Sequence, residues 1–180
     1  MSDDMRDYYT FYGIYTNDWL TTWGGQTFNR HLVKNMITTY CNSTASSAWV
    51  NGGVKFIYPH NIKQNYFMEG VIEGEITFGA TAISRVSDYR VSIFKLNSSA
   101  SYTDLVTTGV VPAVHTILAL DSDSFHFWID CFDKKELTEY DRLGVKVEWN
   151  VSHSSTATAR LQHAVSTTPY DFWVDVPLML

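Results

Sequence analysis

The sequence has no long apolar run, and it contains little charge, proline or cysteine. Charged residues make up 18% of its 180 residues, and there are 4 prolines and 2 cysteines. No stretch approaches the roughly 18 apolar residues of a membrane-spanning helix, so we expect no membrane span. The low charged fraction also disfavours a long helical or coiled-coil protein, which would be rich in alanine, glutamate, lysine and leucine.

Basic residues are in the minority and do not cluster. The 13 lysines and arginines stand against 19 acidic residues, which gives a net charge of -6. The densest basic spot, Lys134–Lys135, is flanked by Asp133 and Glu136. A sequence-independent nucleic-acid binder needs a positive stripe, and a peripheral membrane protein usually needs a basic amphipathic helix. We therefore expect neither nucleic acid nor a membrane as a partner.

A secretory signal and the common catalytic motifs are also missing. The acidic start, MSDDMRDYYTFYG, has no apolar segment. We therefore expect no signal peptide, and free thiols at Cys41 and Cys131. The sequence contains no GxxxxGK(S/T) or GxGxxG nucleotide motif and no GxSxG nucleophile elbow. These absences favour a protein that is not an enzyme.

The 6 histidines lack the spacing of metal ligands. There is no HxH, HxxxH or CxxC, whereas metal sites in β-barrels usually take two ligands from one strand at i and i+2. We expect solvent-facing histidines, no metal and no cofactor. Two carboxylate pairs, Asp121 with Asp123 and Glu73 with Glu75, are typical of a polar turn and of the wet face of a strand. No catalytic residue is predicted.

Aromatic residues and period-two alternation are abundant. Aromatics make up 15% of the chain, with 6 Trp, 11 Tyr and 10 Phe. From Met68 onward apolar and polar residues alternate in one segment after another, which predicts strands with one buried face. Such strands, separated by polar turns, favour an all-β fold, an antiparallel β-sandwich of jelly-roll type. Parity directs these side chains inward: Ile72, Ile76, Val91, Ile93, Phe127, Val145, Val147, Trp149, Leu161 and Val174.

Two regions follow the alternation less well. In the segment 114–120 parity places Leu118 inward and Ile117 outward. In the N-terminal third, Phe28–Tyr40 has the apolar spacing of a short helix that Thr27 could cap.

The chain is treated as a single domain over residues 1–180. We assign residues 1–53 to an irregular N-terminal arm or edge layer with one short helix, and residues 54–180 to the β-sandwich core.

Several aromatic residues fall outside the predicted core. Trp128 and Trp173 lie on the polar parity of their strands. Exposed Trp and Tyr mark a protein interface or a sugar-stacking platform, and a second buried layer is the third interpretation. We favour an interface for the aromatic N-terminal third, because Trp and Tyr supply contact area with few rotamers to freeze. The predicted partner-binding residues are Tyr8, Tyr9, Phe11, Tyr12, Trp19, Trp23 and Phe28.

Five segments follow each other in the second half of the chain: Gly74–Gly79, Tyr89–Leu96, Asp141–Asn150, Thr156–His163 and Phe172–Leu178. Their order resembles that of jelly-roll structural proteins of tailed bacteriophages. The resemblance implies a non-catalytic virion protein, a capsid decoration (cement) or head-fibre protein on the outer capsid surface. It also implies two partners, the major capsid protein and further copies of this chain in a homotrimer.

The last strand also resembles a second class. FWVDVPL is similar to the ending of carbohydrate-binding modules, which are jelly rolls rich in Trp and Tyr. That resemblance implies binding to a glycan of a host surface. A cupin-like enzyme is the third alternative, and it lacks the expected ligand set.

Overall fold

The computed structural model describes residues 7–15, 21–23, 26–28, 30–33, 41–44, 54–60, 62–80, 83–119, 121–151, 159–163 and 172–180. All regular secondary structure in these ranges is strand, and the described part of the chain contains no helix long and apolar enough to cross a membrane. The strands are β1 (Asp7–Tyr15), β2 (Thr21–Trp23), β3 (Gln26–Phe28), β4 (Arg30–Val33), β5 (Cys41–Thr44), β6 (Val54–Ile57), β7 (Tyr66–Ala80), β8 (Ser84–Leu96), β9 (Tyr102–Thr107), β10 (Val111–Ile117), β11 (Ser122–Leu137), β12 (Arg142–Val151), β13 (Ala159–His163) and β14 (Phe172–Met179).

Twelve of these strands form one sheet that curls nearly into a barrel. Its order is β10-β8-β12-β6-β4-β1-β14-β7-β13-β5, with β11 paired to β7 and β9 paired to β8. The pairing is antiparallel apart from the short parallel contact between β4 and β6. Strands β2 and β3 form a separate hairpin. The prediction of an all-β fold is confirmed.

One main core fills the inside of the curled sheet. Trp149 of β12 packs against Phe78 of β7 with ring centroids 5.1 Å apart, and Phe56 packs against Phe172 at 4.7 Å. These contacts join the β8–β12–β6 part of the sheet to the β7–β14 part. The ten side chains that parity directed inward are all buried, so that prediction is confirmed.

The N-terminal third departs from the prediction. Residues Asp7–Tyr15 form an interior strand between β4 and β14, and Phe11 belongs to the main core. Arg30–Val33 is a strand with a buried Leu32, so both the irregular arm and the short helix there are wrong. The rest of the predicted helix, residues 34–40, lies outside the described residues. Pairing with β1 outweighs a weak local helix preference.

The parity expected for Leu118 is also wrong. Ile117 is buried and Leu118 is exposed. The opposite parity holds along the described side chains of the strand: Val111 and Ala113 also pack against the main core, whereas Pro112 and Thr116 are exposed. The alternation in this segment is nearly apolar on both parities, so pairing with β8 decides which side faces the core. Pro112, which has no N–H to donate, is typical of an edge strand such as β10.

The β2–β3 hairpin covers part of the outside of the sheet. Trp23 and Phe28 pack on a second, smaller core of Ile57, Phe94 and Leu96. The Trp23 indole donates a hydrogen bond to the carbonyl oxygen of Asn97 at 2.6 Å. The outer side of β6 and β8 is therefore a buried layer under this hairpin.

His31 is buried, whereas the sequence predicted solvent-facing histidines. Its burial, and then the nearby Arg142 guanidinium, lower the pKa of His31 from 6.5 to about 4. A fully enclosed imidazole beside a cation is held neutral, because the charged form is poorly solvated there.

This shift predicts a loss of stability in mild acid. Between pH 6.5 and about 4, the unfolded chain protonates His31 and the folded chain does not. As the pH decreases through that window, the protonation of His31 in the unfolded chain should therefore lower the free energy of unfolding by roughly 2–3 kcal/mol. Chemical denaturation of wild type and His31→Gln at a series of pH values measures it. The variant should lose less stability than wild type below pH 6.5, and parallel profiles in that window would contradict the assignment.

Candidate functional site

Strands β11, β7, β14 and β1 present a continuous outer surface on the opposite side from the core. We call it the aromatic–acidic face, because large apolar side chains and carboxylates alternate over it. Its members follow from strand parity and register. They are Tyr8, Tyr12, Val71, Glu73, Glu75, His126, Trp128, Asp130, Phe132, Trp173 and Asp175.

Strand register places these side chains in rows across the sheet. Glu75 of β7 lies between His126 of β11 and Trp173 of β14. In the next row Glu73 lies between Trp128 and Asp175. Side chains directly opposite each other on neighbouring antiparallel strands have Cβ atoms roughly 5 Å apart. Each glutamate is therefore flanked by an aromatic ring.

The first row is held together by direct contacts. The His126 Nε2 lies 3.4 Å from the Glu75 Oε2, and the His126 ring meets the Trp173 ring edge-on at 5.6 Å between centroids. These contacts place the imidazole between the glutamate and the Trp173 ring.

The second row contains a carboxylate oxygen that the described residues leave unsatisfied. Oδ1 of Asp175 is buried, and no described donor reaches it. A buried carboxylate oxygen without a hydrogen-bond donor is costly, so the second row is less well satisfied than the first.

The face is unusually apolar for an exposed surface. Trp128 is 68% exposed and Phe132 is 73% exposed, and Tyr8 and Val71 are exposed as well. Neighbouring exposed aromatic residues are characteristic of interaction surfaces. The four carboxylates of the face, with no lysine or arginine in the set, give it a negative potential.

The structure separates the partner-binding residues that the sequence grouped together. Tyr8 and Tyr12 belong to the aromatic–acidic face. Tyr9 and Phe11 point to the other side of β1, and Phe11 is buried. Trp23 and Phe28 cover the second core. Trp19 lies outside the described residues.

Other members of the face had a partial signal in the sequence. Trp128 and Trp173 were singled out by their polar parity, and the glutamates of β7 were interpreted as a solvated strand face. Phe132 continues the outward parity of His126, Trp128 and Asp130, but it was missed because the charged residues 133–136 that follow it are typical of a polar turn. Cys131 itself is a buried free thiol, and the side chain of Cys41 lies outside the described residues.

No family model matches the sequence, and no curated protein sequence matches it either. Several solved structures share its fold. A CocE/NonD family hydrolase from Staphylococcus aureus superposes with a TM-score of 0.69 at 10% identity, covering 97% of this chain and 37% of the hydrolase. An aminopeptidase from a marine-sediment Thaumarchaeota archaeon gives 0.69 at 8% identity, with the same two coverages. An alpha-amino acid ester hydrolase gives 0.53 at 9% identity over 71% of this chain and 25% of the enzyme.

These likenesses correct two expectations. The chain has a fold that occurs in hydrolases and corresponds to little more than a third of their length. The prediction of a non-catalytic virion protein is wrong. The prediction that the protein is not an enzyme is contradicted by the same structures. The capsid partners and virion location rested on the phage resemblance and are not proposed.

Proposed function

We propose that this chain is the β-domain of a hydrolase and that its aromatic–acidic face docks onto the catalytic part of that enzyme. The supporting observation is the likeness to a hydrolase and an aminopeptidase over 97% of this chain but only 37% of theirs. We also propose the finer architecture, an antiparallel sandwich of jelly-roll type. Its support is the antiparallel pairing and the packing of the two parts of the sheet through Trp149 and Phe78.

The aromatic–acidic face suits this docking because it has the composition of an interface centre. Trp and Tyr dominate the residues that carry binding energy, and Trp128 and Phe132 offer large rings that are exposed in the isolated domain. Burying them against another protein removes apolar area from water.

Charge indicates what the opposing surface contains. Glu73, Glu75 and Asp130 favour a partner surface rich in arginine or lysine. Arginine fits best, since its planar guanidinium can stack on Trp128 and donate two hydrogen bonds to a carboxylate.

The reaction class follows from the proteins that share the fold. The structural neighbours include an aminopeptidase and an alpha-amino acid ester hydrolase. We propose that the assembled enzyme cleaves amide or ester bonds at the carbonyl group of an amino acid. Aminoacyl p-nitroanilides and amino acid p-nitrophenyl esters are the corresponding test substrates.

The proposal is tested on the protein as its own cells make it. The chain, tagged at its native locus, is purified without denaturant, and hydrolysis of both substrates is followed across a size-exclusion column. We expect the activity to co-elute with the wild-type chain. The double substitution Trp128→Ser with Phe132→Ser should reduce the activity in that peak about tenfold or more, since it removes the two most exposed rings of the face.

A matched control variant distinguishes the loss of docking from a general effect of removing exposed apolar side chains. Ile83→Ser with Val110→Ser also removes two exposed apolar side chains, but both residues lie outside the aromatic–acidic face. This variant should keep the activity. Absence of hydrolysis with the wild-type chain would refute the hydrolase assignment. Full activity in the Trp128/Phe132 variant would refute the docking face alone.

A further inference from the structure

A cleft of ≈ 660 Å³ opens where β1, the connection between β6 and β7, and the start of β12 meet. It lies on the inward side of β1, whereas the aromatic–acidic face lies on the outward side. Its volume falls in the range of roughly 300–1,000 Å³ that small-molecule sites occupy. Neither the hydrolase likeness nor the docking face accounts for it.

The wall formed by residues 58–60 and 62–66 is tied to β12. The Tyr58 backbone N–H donates to the Leu143 carbonyl oxygen at 2.8 Å, and the Ile62 N–H donates to the Asp141 carbonyl oxygen at 3.3 Å. The Arg142 guanidinium donates to the carbonyl oxygen of Pro59. A segment held at both ends in this way forms the cleft before any ligand arrives, which lowers the entropic cost of binding.

The inside of the cleft is apolar and aromatic. Phe11 and Ile62 are buried, and the Tyr58 ring packs edge-on against Phe11 with 5.5 Å between centroids. The walls also include Tyr9 and Tyr66. Such a lining accommodates the hydrocarbon or aromatic body of a ligand.

The charge at the cleft has one sign. His60, Lys63 and Arg142 line it, and none of the described lining residues is acidic, although the whole chain carries a net charge of -6. Arg142 is fixed, because its guanidinium lies 4.0 Å from the centre of the Trp23 ring. Lys63 is exposed and can move to meet a ligand. A local cationic site in an acidic protein favours an anion.

Two tyrosine hydroxyls complete the set of donors. Tyr66 accepts a hydrogen bond from the Gln64 side-chain amide at 3.2 Å, which leaves its own proton to donate. Burial, and then the neighbouring Tyr66, raise the pKa of Tyr58. Tyr58 therefore stays protonated and remains a donor at neutral pH.

We propose that this cleft binds a small organic carboxylate with an apolar body. The carboxylate takes hydrogen bonds from Tyr58 and charge stabilisation from Lys63, while the body lies between the tyrosine rings. A singly charged head fits better than a phosphate dianion, because Arg142 is already engaged by Pro59 and Trp23 and leaves Lys63 as the mobile cation.

Isothermal titration calorimetry on the full chain tests the charge preference. The probes are 4-phenylbutyrate and its neutral isostere 4-phenylbutanamide, with phenyl phosphate as a third. We expect the carboxylate to bind about tenfold more tightly than the amide, because a charge-assisted hydrogen bond adds about this much to the affinity.

Lys63→Gln should reduce the preference for the carboxylate about threefold, because it removes one partly solvated charge. Equal affinity for carboxylate and amide would overturn the proposal, and so would phenyl phosphate binding more than tenfold tighter than the carboxylate.

Location is tested by a matched variant and by NMR. Arg85→Gln removes one exposed positive charge near the start of β8, whereas the end of that strand pairs with Arg142 beside the cleft. This variant should leave the preference for carboxylate over amide unchanged. If Arg85→Gln reduces the preference for the carboxylate as much as Lys63→Gln does, the effect of charge is non-specific and the proposed site is wrong. With 4-phenylbutyrate, amide shifts should concentrate at residues 58–66 and 142–143. Shifts centred on the aromatic–acidic face would place the ligand elsewhere and refute the assignment.

Discussion

Replacing Trp149 by alanine should lower the free energy of unfolding by about 4 kcal/mol. Trp149 is fully buried and packs against Phe78 across the inside of the curled sheet. Its indole N–H also donates to the Ala159 carbonyl oxygen at 3.3 Å. The substitution leaves a cavity where two parts of the sheet meet and removes the donor from a buried carbonyl group.

Urea denaturation followed by circular dichroism measures this change. Trp128→Ala is the matched control, since the same ring is removed from a position that is 68% exposed. It should change the free energy of unfolding by no more than about 0.5 kcal/mol. Equal losses for the two tryptophans would contradict the placement of Trp149 between the sheet halves.

Gly74→Ala should cost about 3 kcal/mol, because the added methyl group has no room. Its Cβ would lie 2.4 Å from the Trp173 carbonyl oxygen and 2.7 Å from the Phe127 ring. The first of these is backbone on the adjacent strand β14, which cannot move away without disturbing its pairing with β7. This close approach of the neighbouring backbone is the reason that a glycine stands at position 74.

Two further variants test this explanation by thermal and urea denaturation. Adding Phe127→Leu relieves the ring contact but not the carbonyl contact, so the double variant should be no more stable than Gly74→Ala. Recovery of stability would show that the ring is the obstacle. Gly109→Ala is the contrast, because Gly109 has φ of 68° and open space around its Cβ. It should cost about 1 kcal/mol through backbone conformation alone.

Prediction of the candidate site succeeded for single residues and failed for the assembly. Parity identified Trp128 and Trp173 as outward-facing, because alternate side chains of any strand lie on opposite sides. Parity could not show that Trp128 and Trp173 lie on the two strands that flank β7, with Glu73 and Glu75 between them. That arrangement depends on which strands pair. The aromatic N-terminal residues were interpreted as one surface, and β1 divides them between its two sides.

The sequence by itself determined the all-β class and the inward set, such as Ile76, Val147 and Trp149. Both follow from the covalent geometry of an extended chain, which repeats every two residues whatever its neighbours are. Only the tertiary structure decided that β1 is an interior strand of the sheet, between β4 and β14. It also decided that Tyr58, Lys63 and Arg142 line one cleft. Those outcomes depend on pairing between segments far apart in the chain, where packing of the whole core outweighs local preference.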